Sequence, residues 1–259
     1  MERVYIGIDI GSTCAKTVVL DGGRNILLRL LQPTGWSSVD TAEDIRARLA
    51  GEGFPVEEAA VVATGYGRVS VPYADRCVTE ITCHGRGACR IYGTPDLTVI
   101  DIGGQDTKII RIQDGAVSDF LMNDKCSAGT GRFLEIMANT LAVRPEELCG
   151  MAAHGGGTSI SSMCTVFAES EVISLIGRGE KRENIAFAVV DSIVKKVASQ
   201  AGRMSADQET VCLTGGLCEY PYLRQSLSAA LGRPVRTEAD GRYAGAVGAA
   251  LCAFSIRKE

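Results

Sequence analysis

The chain has 259 residues, 46% of them hydrophobic and 22% charged, the balance of a globular protein with room for two modest domains. A net charge of -4 and a pI near 5.4 give it no electrostatic claim on nucleic acid. No apolar stretch reaches the roughly 18 residues of a spanning helix, and MERVYIGIDIG enters a strand directly instead of a leader peptide, so a cytoplasmic protein with no membrane contact is expected.

The first predicted elements lie in GIDIGSTCAKTVVLDGG, which begins at Gly7. An apolar strand ends in Asp-Ile-Gly, a tight turn follows, and a second β-rich run reaches a DG turn. NILLRLLQ continues as a third strand, DTAEDIRARLAGEG reads as a helix, and AAVVATGYG reads as a strand leading into a loop. In CVTEITCHGRGAC, Cys77, Cys83 and Cys89 stand six apart with His84 beside the second. That spacing fits no common zinc pattern, and the stretch is expected to be an interdomain or interface loop.

VIDIGGQDTKIIRIQDG, beginning at Val99, then repeats the first unit. Asp9 aligns with Asp101, Gly11 with Gly103, Lys16 with Lys108 and Gly23 with Gly115, each pair 92 residues apart. AVSDFLMN is the matching third strand. Helices are predicted over 129–142, 144–153, 166–178 and 183–203, followed by a buried strand in ETVCLTGGL and a helix over 220–231. RYAGAVGAALCAF closes the chain as a small-residue helix suited to close packing. Two similar domains are expected: 1–95, with the terminal helix 243–259 packed back on it, and 96–242.

A phosphate needs backbone N–H donors that approach closely, and glycine permits the approach. Gly11-Ser12-Thr13 and Gly103-Gly104-Gln105 each supply such a turn after a strand, and neither is a P-loop. Asp9 and Asp101 stand beside the turns and are suited to hold Mg²⁺ through its waters. Lys16 adds positive charge, and Gly215 and Gly216 would let adenine or ribose lie against backbone. One Asp-Ile-Gly is as readily a plain tight turn. Two in matched register, with a third glycine pair after a strand, point to a nucleotide.

Ten cysteines without an export signal suggest thiols or metal ligands in preference to disulfides. Cys14, Cys149, Cys212 and Cys252 fall in apolar or helical contexts and read as inert core residues. His154 reads as a loop residue. NDKCSAGTGRF places Cys126, and SMCTVFAESEVISLI places Cys164, just ahead of helical runs. A thiolate there is favoured by the helix dipole and by free N–H groups, which can also donate to cluster sulfurs. On the residues alone, a pair of core cysteines near helix starts is the simpler account.

GIDIGST, TEITCHGRGA, DIGGQDTKII, MNDKCSAGTGRFLE, CTVFAESEVISL and YAGAVGAAL, spread over nearly the whole chain, resemble the activators of 2-hydroxyacyl-CoA dehydratases. Those are BadF/BadG/BcrA/BcrD-type ATPases, a family that also includes ATPase subunits of benzoyl-CoA reductase, within the actin/Hsp70/sugar-kinase superfamily. The resemblance implies an α/β fold of two similar ribonuclease H-like domains around a nucleotide cleft, with ATP and Mg²⁺ as ligands. It implies a homodimer in which Cys126 and Cys164 of each subunit ligate one bridging [4Fe–4S] cluster. It further implies Asp101 and Gln105 positioning the attacking water, with Asp9 and Asp101 around Mg²⁺. Ferredoxin or flavodoxin would be the electron donor and an iron–sulfur dehydratase or reductase the acceptor, with nucleotide-driven domain motion shifting the cysteine-headed helices. This chain departs from the family's GGVAxN-like pattern with GGLCEY, which places Cys218 and Glu219 near the adenosine contacts. A small-molecule kinase of the same superfamily is the alternative, with a chaperone-like or filament-forming ATPase and a thiol redox sensor behind it.

Overall fold

A computed structural model describes residues 3–161, 164–204 and 210–256. In chain order the elements are β1 (Tyr5–Ile10), β2 (Cys14–Leu20), β3 (Ile26–Pro33), α1 (Ser38–Gly51), β4 (Ala60–Thr64), β5 (Arg76–Cys77) and α2 (Glu80–Tyr92). There follow β6 (Leu97–Ile102), β7 (Thr107–Gln113), β8 (Ala116–Asn123), α3 (Gly131–Thr140), α4 (Pro145–Ala152), α5 (Thr165–Gly177) and α6 (Arg182–Gly202). The last are β9 (Val211–Thr214), α7 (Pro221–Leu231), β10 (Val235–Arg236) and α8 (Ala244–Ala253). Two compact units divide the chain: Met1–Asp96, Ile112–Ser118 and Asp240–Glu259 form the first, Leu97–Arg111 and Asp119–Ala239 the second. Among the described residues no helix is long and apolar enough to cross a membrane.

One sheet runs β3-β2-β1-β4-β5 and the other β10-β9-β6-β7-β8, so read from opposite ends the two orders correspond strand for strand. β4 lies parallel to β1, and β9 parallel to β6. β1 is buried at every position from Ile6 to Ile10 and β6 from Leu97 to Ile102, without the alternation of a half-exposed strand, so both faces are covered. β3, farther out, alternates exposed and covered positions instead.

In the first unit, Ser37 caps α1 by accepting from the Asp40 N–H at 3.1 Å, and Ala42, Ile45 and Leu49 recur at helical spacing on its buried face. The loop expected over CVTEITCHGRGAC is in fact mostly helix: α2 carries Cys83 and Cys89 and stops at Gly93, left-handed at φ +68°. Gly85 and Gly87 argue against a helix by propensity, but tertiary packing rewards them. A Cβ on Gly87 would overlap the Ala244 carbonyl of α8, and one on Gly248 would overlap the Cys83 backbone. The two helices therefore meet backbone to backbone through small residues. α8 ends at Ala253, within the expected terminal helix, whose last residues 257–259 lie outside the described chain.

The second unit packs α3, α4, α6 and α7 around a core that includes Ile100, Phe133, Met137, Val189, Ile193 and Leu223. Helices stand close to their predicted spans, with α3 shorter at its start because Gly129, at φ +87°, and Thr130 belong to the entry turn.

Candidate functional site

In the first unit the Asp-Ile-Gly turn is closed by the Gly11 N–H donating to the Cys14 carbonyl at 3.1 Å, which leaves Ser12 and Thr13 at the tip. The Thr34 hydroxyl donates to the Gly11 carbonyl at 2.7 Å and braces the turn from β3. Lys16 stands opposite Asp9 in the β1–β2 register, and its Nζ lies over Gly11, 3.7 Å from where a Cβ there would sit. Asp9 is 3% exposed, and its Oδ1 has no hydrogen-bond partner among the described residues. A buried carboxylate oxygen left so is a place for a ligand to donate or for a cation's water shell.

Gly65, directly after β4, holds φ +84°, and a Cβ on it would overlap Asp9 Oδ1. Gly245 near the start of α8 is equally close: its Cβ would lie 2.6 Å from Asp9 Oδ2 and 2.9 Å from His84 Cε1. His84, 5% exposed on α2, thus shares with Asp9 the surroundings of that glycine, and its Nδ1 lies 3.1 Å from the Glu80 carbonyl. An Nδ1–H donor there leaves Nε2 as the acceptor in the neutral ring.

The second unit repeats this construction. Gly103 N–H donates to the Asp106 carbonyl at 2.9 Å, with Gly104 and Gln105 at the tip. Asp101, 2% exposed, accepts from Thr214 Oγ1 at 2.8 Å and faces Lys108 Nζ at 3.5 Å. Lys108 is itself 1% exposed and bonds Asp106 at 2.7 Å. Gly215 follows Thr214 as Gly65 follows Thr64, at φ +82°, and a Cβ on it would overlap the Ile102 carbonyl. Gly216 opens a short 3₁₀ turn carrying Cys218 and Glu219. Cys218, Glu219, Pro221, Arg224 and Glu238 are among the residues lining a cavity of about 530 Å³.

The cysteine segments lie in the same unit. Cys164 is the residue that caps α5, in extended backbone at φ -151°, and its carbonyl accepts the first helical bond from Ala168 at 3.0 Å. Cys126 does not cap α3. It sits in the loop before it, and Thr130 takes the cap position. Asn123 closes the loop by donating to the Cys126 carbonyl at 2.9 Å, and the Ser127 and Thr165 hydroxyls share a hydrogen bond of 2.6 Å. The residue after each cysteine is therefore tied to the other, so two half-buried free thiols stand on adjoining segments. The first amides of α3 point back to the glycine turn after β6: Gly131 N–H donates to the Gly103 carbonyl at 2.9 Å and Arg132 N–H to the Gly104 carbonyl at 2.8 Å.

Of the cysteines expected to be inert, Cys149 is buried and pushed up to about 12 by desolvation, and Cys212 is buried in β9. Cys252 behaves differently. A hydrogen bond from Cys83 lowers its thiol below the ordinary range, and Arg86 adds to this with a guanidinium 3.3 Å from the sulfur.

Lys108, His84, Gly65 and Gly245 escaped the sequence-based selection of site residues. Lys108 was marked by its alignment with Lys16, and Thr64-Gly65 by its likeness to Thr214-Gly215. Nothing in the sequence brings α8 or His84 to Asp9.

Paired sheets of one strand order, each carrying an aspartate and a glycine turn, define an actin-like ATPase fold. A glucokinase of the ROK family from Streptomyces griseus, 16% identical over 98% of this chain and all 100% of that one, shares the fold at a TM-score of 0.64 and shows no more than the fold. Residues 6–253 match the BadF/BadG/BcrA/BcrD ATPase family, and the chain belongs to it. It is 40% identical to the (R)-2-hydroxyglutaryl-CoA dehydratase activating ATPase of Acidaminococcus fermentans, over 98% of each chain. It is 37% identical to the activator of the 2-hydroxyisocaproyl-CoA dehydratase from Clostridium difficile, solved with bound ADPNP, at a TM-score of 0.89 over 97% of this chain and 94% of that one.

Proposed function

We propose that this ATPase is an activator that couples ATP hydrolysis to delivery of a low-potential electron to an iron–sulfur enzyme of the 2-hydroxyacyl-CoA dehydratase kind. Residues 1–95 with the terminal helix would be one ATPase half and 96–242 the other. Gly11, Ser12, Thr13 and Lys16 would receive phosphate oxygens from the first half, and Gly103 and Gly104 from the second, with Gly215 and Gly216 against adenosine. Asp9 and Asp101 would hold the waters of Mg²⁺, and Gln105 with Asp101 would orient the attacking water. Cys126 and Cys164 of each of two chains would hold a [4Fe–4S] cluster, which supplies one-electron chemistry when bound.

The observation that supports this most is the Ser127–Thr165 tie, which sets both cysteines at the head of a helix with an uncovered apolar face. On α5, Val166 and Phe167 are each 66% exposed and Ile173 is 56% exposed. A helix apolar on both sides belongs in an interface, and a two-fold axis there would unite four thiols. The donor would be ferredoxin or flavodoxin, and the setting cytoplasmic and anaerobic. ATP would act by favouring one conformation over another.

Iron and acid-labile sulfide per chain, measured on protein purified without oxygen together with its mass in solution, test this. About two irons per chain in a dimer is the expected result. A metal-free monomer after reconstitution would overturn it and bring a small-molecule kinase forward.

A further inference from the structure

Loops that carry metal ligands are held by the groups just outside the metal, and here one pair of side chains joins two otherwise separate loops. Ser127 Oγ and Thr165 Oγ1 lie 2.6 Å apart, each one residue beyond a cysteine and 38 residues from the other in sequence. Thr165 is buried at 9% exposure, on the first turn of α5. The Ser127 carbonyl accepts twice from Thr130, from its hydroxyl at 2.6 Å and from its N–H at 3.1 Å. Thr107 on β7 donates its hydroxyl to the Gly129 carbonyl at 2.7 Å, which fixes the same loop to the sheet. Every bond named runs within the second unit. The Cys126 loop is thereby anchored to β7 and α3, while the Cys164 segment is anchored to α5. The hydroxyl pair is a side-chain link between them, one residue beyond each cysteine.

We infer that Ser127 and Thr165 are positioning residues for the Cys126–Cys164 thiol pair, their shared hydrogen bond setting the separation of the two sulfurs before any metal arrives. This rests on the reading of those cysteines as ligands, but the separation of the sulfurs is measurable without it. Losing the hydroxyl of Thr165 leaves the helix, the cysteine and a side chain of nearly the same shape, and removes only the tie. Ligand supports of this kind change metal retention by about tenfold or more.

The test compares the full-length wild type with Thr165→Val and Thr165→Ser. Protein-bound iron is timed as it passes to a ferrous chelator, and in metal-free protein the yield of a Cys126–Cys164 cross-link by a short thiol-specific bifunctional reagent is read by peptide mass. Thr165→Val is expected to release iron about tenfold faster and to cross-link less, while Thr165→Ser, which keeps the hydroxyl, restores both. Equal cross-linking in all three proteins would overturn the inference whatever the iron does. A wild type that holds no iron, yet cross-links more than Thr165→Val, would sink the ligand assignment and leave the positioning tie standing. Failure of Thr165→Ser to restore cross-linking would show that packing, not the hydrogen bond, sets the separation.

Discussion

Asp9 and Asp101 occupy equivalent positions in sequence but different electrostatic settings. Asp101 shares its surroundings with the buried Lys108 cation, whereas Asp9 Oδ1 finds no partner among the described residues. Removing one member of a buried pair leaves the others uncompensated, at about 3–5 kcal/mol. Lys108→Met is therefore expected to lower stability by that order, read from urea unfolding of the full chain. Gly65 allows a cleaner comparison, because Gly53 has the same φ of +84° with nothing within 4 Å of its would-be Cβ. Gly53→Ala should cost about 1–2 kcal/mol, the penalty of a left-handed L-residue. Gly65→Ala should cost more and abolish Mg²⁺-dependent ATP turnover, because the methyl displaces Asp9. Equal effects of the two substitutions in unfolding and turnover assays would deny Asp9 its place in the site.

At the scale of elements, the small residues of α2 and α8 let two backbones touch where ordinary side chains would hold them apart. Overpacking such a contact costs about 1–3 kcal/mol. Gly248→Ala is expected to lose at least that in thermal unfolding, since Cys83 backbone cannot swing away as a flexible side chain could. α5 invites the opposite experiment, on an exposed surface. Phe167→Glu together with Ile173→Glu should leave the chain folded and convert the proposed dimer to monomer in analytical ultracentrifugation. A variant that remains dimeric would place the subunit contact elsewhere. α2 also marks the limit of local reasoning. Its glycines argue for a loop, and close backbone contact with α8 repays them.

For the whole molecule, a ligand that binds only the folded chain stabilises it by mass action, about 2.7 kcal/mol at one hundred times its Kd. MgATP is expected to raise the melting temperature, and chelation of Mg²⁺ should remove most of the rise. No shift at millimolar MgATP would contradict the assignment of both glycine turns. The repeat at 92 residues made the common plan of the two sheets legible, because a strand ending in Asp-Ile-Gly is specified by its own residues: apolar where both faces are covered, glycine where the backbone must turn. The helical spans after Thr130 were legible for the same local reason, through their apolar period. Other features depend on residues far apart in sequence. Gly245 comes beside Asp9, Thr214 reaches Asp101, Gly103 receives the first amide of α3, and Ser127 meets Thr165. Those meetings are decided by tertiary structure alone, since each depends on how tightly separate elements pack, and periodicity within one element carries no record of its neighbour.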